Sequence, residues 1–384
     1  MKTVNSLSDI QSLISNNHEI FTGDTVIAEY LRWLVSVSNE HKENSRYELY
    51  KSIIAEEADY TGERPFLTVV MRTQGRRIAA FKEALLCLYS QTDQDFEIVI
   101  VGHKVDKANE TVIKRIIDEQ EENFRAKIRY YSVDFGNRTA PLNFGFAHAR
   151  GFYISCYDDD DIIMGNYVKD IHCAAEKHNG RLIHTYCVSQ EFAMNGVNDT
   201  AVPRSESIPN ASFCRQFNLA TEFNLNLCPF LSIAFPASIF TKFNVWFDER
   251  LDTTEDWDYI VRTAMIVGVH DVERVLEIYR QWINAENSFT VHSQEIWKSN
   301  ETAIKEKFNR CPVLLPPGTA GLISDFYTAP VRFANEHVKA EASGRGRLYC
   351  FKEKIKRFLP HDSFLYRFCR KIYKTIKLKS KHSI

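Results

Sequence analysis

The middle of this 384-residue chain predicts a Rossmann-like α/β fold, a largely parallel sheet flanked by helices. Three observations carry that expectation. Short β-branched or aromatic runs read as buried strands, and they alternate with helical stretches from residue 66 onward. The alternation has a βαβαβαβ rhythm. One of the strands, Gly151–Tyr157, delivers four consecutive aspartates, Asp158–Asp161, to its end, where open α/β sheets bind ligands.

Residues 1–63 read as a helical N-terminal extension. Asp24 can cap a helix from Thr25 to about Val37, with Ile27, Leu31, Leu34 and Val35 on one face, and a more polar helix follows at Arg46–Ala58. Gly62-Glu63-Arg64-Pro65 breaks the pattern and marks a boundary. Strands are then expected at Phe66–Met71, Phe96–Val101, Lys127–Val133, Gly151–Tyr157 and Arg181–Val188. Helices are expected at Ile78–Ser90, Asn109–Asn123, Ala140–Arg150 and Tyr167–Lys177. Glu191–Asn226, rich in Asn, Ser and Pro, reads as a loop able to form an acceptor-side flap. A helix resumes over Val261–Val267, after the acidic cluster Glu255-Asp256-Trp257-Asp258. The sheet domain is drawn at 64–300 and a helical C-terminal region at 301–384.

Composition is that of an ordinary soluble protein, 44% hydrophobic and 26% charged. The nine cysteines form no CxxC pair, which suggests free thiols in a reducing compartment. The first residues lack an apolar core, so no signal peptide is expected, and no apolar run is long enough to span a bilayer. Charge is unevenly spread. Residues 345–384 hold 13 Lys and Arg against Glu353 and Asp362, a balance of +11, which leaves −13 for the rest of a chain whose net charge is −2. Such a split points to a tail with its own electrostatic partner.

Four like charges at one strand end repel one another, by about 1 kcal/mol per close pair in water and about 4 kcal/mol at a surface-like dielectric. Either they fan into solvent as an acidic turn, or a cation neutralises them. Mn²⁺ or Mg²⁺ prefers carboxylate oxygens and shares them with substrate phosphates. A second acidic group, Glu255-Asp256, lies about a hundred residues on. A metal–phosphate site paired with a separate carboxylate base suits transfer from a nucleotide-activated donor. Thr253-Thr254-Glu255-Asp256 equally suits a helix N-cap followed by first-turn acids, and spacing leaves both readings open.

The order of Phe66–Thr73, Phe96–Val101, Pro141–Ala147, Tyr153–Asp161 and Thr254–Asp258 resembles a family-2 glycosyltransferase of the GT-A fold, over about residues 65–290. The resemblance implies donor contacts from Asp158 to ribose or base, and a metal ligand in Asp160. Asp159 falls in the family's variable slot, while Asp161 shapes the loop. Glu255-Asp256 matches the family's Glu-Asp at a helix start, with Asp256 implied as base and Glu255 as runner-up. Arg72 and Thr73 fall where the nucleotide base is gripped, and Asn143, which matches the family's Asn before the helix preceding the aspartate motif, is implied as a further donor-binding residue. Arg280, in Tyr279–Trp282, falls near the donor phosphates, or else packs as a stem between aromatics. His292 is a weak candidate for a further metal ligand. The family's acid at the end of the second strand is missing here, where Gly102-His103-Lys104 stands and no acid occurs before Asp106.

Within the tail, Leu348, Phe351, Ile355, Phe358 and Leu359 share one helix face before Pro360. Leu365, Phe368, Cys369, Ile372 and Ile376 share another, with cations on the other sides. This is the profile of an interfacial helix pair on an anionic membrane, or of helices packed back on an acidic body. Nucleic-acid binding is not expected, since no recognised fold accompanies the basic patch. The expected activity is an inverting, metal-dependent glycosyltransferase, cytoplasmic and peripheral on the inner face of the plasma membrane. It would use a nucleotide-sugar donor and a glycan or lipid-linked acceptor. A nucleotidyltransferase acting on sugar phosphates is the alternative enzyme; it needs a basic Gly-rich loop, for which Arg72–Arg77 is a faint match. A membrane-docked scaffold with a degenerate transferase fold is the alternative without chemistry.

Overall fold

A computed structural model describes residues 46–196, 201–284 and 292–311, with a few further positions between 313 and 328. The chain divides into two units, 1–314 and 315–384. The expected helix at 25–37 and the basic tail at 345–384 lie outside the described residues. Seven described cysteines are free thiols. Among the described residues no helix is long and apolar enough to cross a membrane.

The expected α/β architecture is the one observed. Helix α1 (Arg46–Ala58) precedes β1 (Leu67–Thr73), α2 (Ile78–Tyr89), β2 (Phe96–His103), α3 (Lys107–Asp118), the short α4 (Glu122–Arg125) and β3 (Ile128–Val133). Next come α5 (Ala140–Ala147), β4 (Tyr153–Cys156), β5 (Ile162–Ile163), α6 (Tyr167–Lys177) and β6 (Leu182–Asn195). The chain continues through β7 (Val202–Ser205), β8 (Asn210–Phe213), α7 (Leu219–Glu222), β9 (Ile233–Pro236) and α8 (Ala237–Thr241). It closes with α9 (Glu255–Val267), β10 (Val269–Trp282) and α10 (Gln294–Arg310). The sheet runs β3-β2-β1-β4-β9-β6-β10-β5, with β7 and β8 paired to β6. Parallel ladders join β1 to β2 and β4, β2 to β3, and β6 to β10, and they hold most of the paired positions.

Strand alternation explains why helices cover both faces. Leu67, Val69 and Met71 of β1 join α2, α3 and α6 in one core cluster, whereas Val70 joins α1, α5 and α9 in the other. Period two sends successive side chains to opposite faces, so a strand covered on both sides must be apolar throughout. Close approach is needed where α5 and β4 meet β1. A Cβ on Gly145 would lie 2.5 Å from Val70, and one on Gly151 would lie 2.5 Å from the Thr68 backbone nitrogen.

Several element boundaries differ from expectation. The stretch 191–226 is not one loop, because β6 runs on to Asn195 and two exposed strands pair back on it before α7. Exposed edge strands need no apolar pattern, so Asn, Ser and Pro concealed them. The expected 109–123 helix is two. Asp106 caps α3 by accepting from the Asn109 N–H, and the chain turns again before α4. Helix α5 stops at Ala147, three residues short, so that the chain can reach Gly151 and enter β4. Helix α9 already begins at Glu255, and α10 runs across the expected boundary at 300/301.

Candidate active site

Register builds the first half of the site. Strand β4 ends at Cys156, opposite Val70, whereas β1 continues to Thr73. Arg72 and Thr73 therefore overhang the segment in which the chain leaves β4 through the aspartates. Arg72 clasps Asp158 in bidentate fashion, Nε to Oδ1 at 3.0 Å and Nη2 to Oδ2 at 2.9 Å. Thr73 donates its hydroxyl to Asp159 and accepts the Gly75 N–H, a commitment that keeps it within the turn.

Pairing of β5 with Glu277 and Ile278 builds the second half, by laying the end of β10 beside the aspartates. The Arg280 backbone N–H donates to Asp161 Oδ1 at 2.8 Å, and the Arg280 guanidinium reaches the Asp160 carbonyl at 3.4 Å. That guanidinium also pairs with Glu83 at 2.5 Å and lies 4.6 Å from the centre of the Phe192 ring. Arg280 is thus both a stem packed on aromatics and a cation beside Asp160. The Asp160 carboxylate accepts from Arg77 and, at 2.8 Å, from the Trp282 indole.

Glu255 ties the second acidic group to the first. Its Oε1 accepts from Arg72 Nη1 at 3.1 Å and from Arg138 Nε at 2.8 Å, while its buried Oε2 has no hydrogen-bond partner. Asp256 beside it is partly exposed, with Oδ1 accepting the Trp257 N–H at 2.8 Å. The helix-start alternative holds in position, since Thr254 is the N-cap residue and the acids fill the first turn of α9, but not in bonding. Thr254 makes no side-chain cap and sits at φ 59°, a left-handed conformation costly for a β-branched residue.

The electrostatics divide these carboxyls. Burial opposes charge on Asp158, but Arg72 outweighs it and holds the group below its ordinary value. Burial and the charge of Asp160 push Asp159 up to about 7. Burial also raises Asp160, against the pull of Arg77, and burial with Asp160 raises Asp161 strongly. At Asp256, burial and then Glu255 push the group up to about 6, a value suited to a general base near neutrality. Tyr279 is raised by burial and then by Asp161, Asp160, Asp256 and Asp158, so its phenol feels both acidic groups at once.

Among the described residues no three His, Cys, Asp or Glu side chains converge to hold a metal ion. Asp160 still offers a hard carboxylate ligand, and acids outnumber guanidinium groups around it. That donor set fits Mn²⁺ or Mg²⁺ completed by phosphate oxygens and water, and does not fit a cation caged by protein alone. His292 is half-buried.

Of the expected residues, Arg72, Asp158 and Glu255 are joined by direct contacts, and Asp160 and Arg280 meet beside them. Asn143 does not join them as expected. It is 2% exposed, both its N–H donors go to the Phe247 carbonyl and Glu249, and its oxygen accepts the Phe247 N–H. With its amide spent in this way, it braces the segment before α9. Asp106, the first acid after β2, caps α3, and the nearby His103 ring nitrogen lies 3.2 Å from the Phe135 carbonyl. Sequence reasoning missed Arg138, and it set Arg77 aside with the faint phosphate-loop match; the adjacent pair Arg76-Arg77 after Gly75 was the available signal.

Residues 68–195 match the model of glycosyl transferase family 2. The matched span contains Arg72 and all four aspartates; Glu255 and Asp256 follow it. No curated protein matches the chain by sequence. Among solved structures, the chain is similar to S. aureus TarS 1-349 at 14% identity and a TM-score of 0.47, covering 65% of this chain and 67% of that one. The same fragment in complex with UDP-GlcNAc is similar at 14% identity and a TM-score of 0.46, covering 64% of this chain and 72% of that one.

Proposed function

We propose that this chain, whose residues 68–195 match the family-2 glycosyltransferase model, is a glycosyltransferase that moves a sugar from a nucleotide-sugar donor to an acceptor hydroxyl with inversion at the anomeric carbon. The observation that carries the reading is Arg72, whose guanidinium touches both Asp158 and Glu255 and so joins the strand-end aspartates to the start of α9. Asp158 accepts from the donor's ribose or base. Asp160 would hold Mn²⁺ or Mg²⁺, which when bound would offset charge on the diphosphate. Arg280 adds fixed positive charge beside Asp160.

Asp256 is the base. Its carboxylate takes the proton from the acceptor hydroxyl as the new bond from oxygen to the anomeric carbon forms. The bond to the diphosphate oxygen breaks on the opposite side, and the nucleoside diphosphate leaves with that electron pair. Glu255 is the weaker candidate, since the guanidiniums of Arg72 and Arg138 already occupy its Oε1 and its side chain is buried. The acceptor is a cell-surface glycan or its lipid-linked precursor, and the basic tail holds the protein on an anionic membrane surface.

A donor screen reading out released nucleoside diphosphate tests this. Asp256→Asn should lower transfer by about 10²-fold or more. In the unaltered protein the rate should fall as pH drops through about 6, where Asp256 takes up its proton. Transfer by Asp256→Asn at the normal rate would remove Asp256 as base. Deletion of 345–384 should release the protein from anionic vesicles, and each surface cation lost should weaken binding by about 1 kcal/mol. Undiminished vesicle binding by the shortened chain would eliminate the tail as anchor.

A further inference from the structure

Arg77 holds the carboxylate that the function proposed above assigns to the metal. It stands at the residue preceding α2, and its guanidinium donates to the same Asp160 oxygen that accepts the Trp282 indole N–H. The guanidinium carbon lies 5.3 Å from the centre of the Trp282 ring, within cation–π range. Arg280 flanks the same ring at 5.9 Å, but the two arginines differ in exposure. The Arg280 side chain is 3% exposed and pinned by Glu83, whereas that of Arg77 is 23% exposed. Arg77 also follows a turn at Gly75 (φ +70°) just after the end of β1.

We infer that Arg77 is an exchangeable counter-ion for Asp160, displaced when a divalent cation takes that carboxylate and then passed to the donor's diphosphate. The inference rests on Asp160 being the metal ligand in the function proposed above. Its physical basis is competition. The Asp160 Oδ2 that accepts a charged N–H and an indole N–H has little lone-pair capacity left, and a metal on either oxygen meets the Arg77 charge beside it, so Arg77 competes with ligation. The trade is favourable only when a diphosphate is present, because a released guanidinium finds its preferred bidentate partner in phosphate oxygens. Trp282 keeps its hydrogen bond throughout and fixes the carboxylate's orientation. Arg77 thereby makes cation and diphosphate binding mutually dependent, and by linkage each strengthens the other. It also protects the buried aspartates from unbalanced charge while no donor is bound.

Manganese binding by the full-length protein, read from the electron paramagnetic resonance of free Mn²⁺, tests the competition without any assay of transfer. With Mn²⁺ alone, Arg77→Gln should bind about tenfold more tightly than the unaltered protein. Arg77→Lys, which keeps the charge, should bind less tightly than Arg77→Gln, and Asp160→Asn should abolish binding in both backgrounds. At saturating Mn²⁺ the order should reverse for inorganic pyrophosphate, with Arg77→Gln binding it at least about fivefold more weakly. Equal Mn²⁺ affinity in Arg77→Gln and the unaltered protein, with Asp160→Asn inactive, overturns the exchange and leaves Asp160 as ligand. Undiminished pyrophosphate binding by Arg77→Gln overturns the transfer to diphosphate. Binding of Mn²⁺ that ignores Asp160 overturns the assignment of Asp160 together with the inference.

Discussion

Asp159 ionises against more resistance than Asp158, though the two are adjacent. Asp158 has a bidentate guanidinium, while Asp159 has one hydroxyl from Thr73 and the charge of Asp160 beside it. A folded-state value raised from 3.8 to about 7 means that the folded protein binds more protons than the unfolded chain between those limits. Stability contributed here is therefore present at low pH and lost as pH rises through that window. Asp159→Asn keeps an acceptor for Thr73 and removes the buried charge. It should stabilise the protein at pH 8, by on the order of 1–3 kcal/mol in urea unfolding, and do little at pH 4. Destabilisation at pH 8 would mean that Asp159 has a charge partner of its own. The place of the run at a strand end was legible, because strand context and the Asp-Asp-Asp-Asp spacing are local. The guanidiniums that create the inequality were not. Arg72 lies 86 residues from Asp158 and 183 from Glu255, and Arg138 lies 117 from Glu255. Nothing in a single sequence pairs charges across such separations.

The same limit holds for elements. Strands β1, β2 and β4 and their helices were readable because each buries a continuous, mostly apolar run, and α6 at Tyr167–Lys177 falls where the periodicity puts it. The long partnership of β6 with β10 was hidden, because β10 mixes His, Asp, Glu and Arg into its run and was not recognised as a strand. Equally hidden was the clamp that seats α9. Asp258 and Arg262 of α9, both 0% exposed, pair with each other at 2.6 Å. Lys307 of α10 reaches Asp258 at 2.7 Å and Asp248 at 2.8 Å. Such a group of charges is stable only when complete, since removing one member strands its partners in a medium that cannot solvate them. Lys307→Met should therefore cost about 3–5 kcal/mol in urea unfolding, although it adds no cavity and removes only a cation. Lys307→Met combined with Asp258→Asn should recover part of the loss. Because Glu255 and Asp256 ride on the first turn of α9, the clamp also holds the proposed base in register with Arg72. A Lys307→Met protein as stable as the original would show that solvent already reaches these acids.

At the scale of the whole molecule, α1 is part of the sheet-containing body. The sequence marks a boundary at Gly62–Pro65, and the chain does turn there, but the helix before it closes the core. Tyr50 and Ile53 are buried with α5 and α9 residues, and Tyr50 meets Trp246 edge-on at 5.6 Å. Glu249, the acid that also receives Asn143, accepts from Arg46 at 2.6 Å and from Tyr50 at 2.5 Å. At the other end of the helix, Glu57 gathers Arg129 at 2.7 Å and Arg150 at 2.6 Å, and the His148 ring nitrogen lies 3.1 Å away. A chain beginning at residue 64 loses both buried side chains, each worth about 1.5–3 kcal/mol. It also leaves Glu249 without the Arg46 cation and the Tyr50 hydroxyl. Its urea midpoint should fall by the equivalent of roughly 3–6 kcal/mol, whereas a chain beginning at residue 46 should keep these contacts. The consequence reaches the site, because Glu249 and Asn143 brace the segment that leads into Thr254 and the proposed base. A chain from residue 64 that unfolds at the same midpoint as one from residue 46 would make α1 an appendage, and the sheet with its own helices would then suffice to hold Asp256 in place.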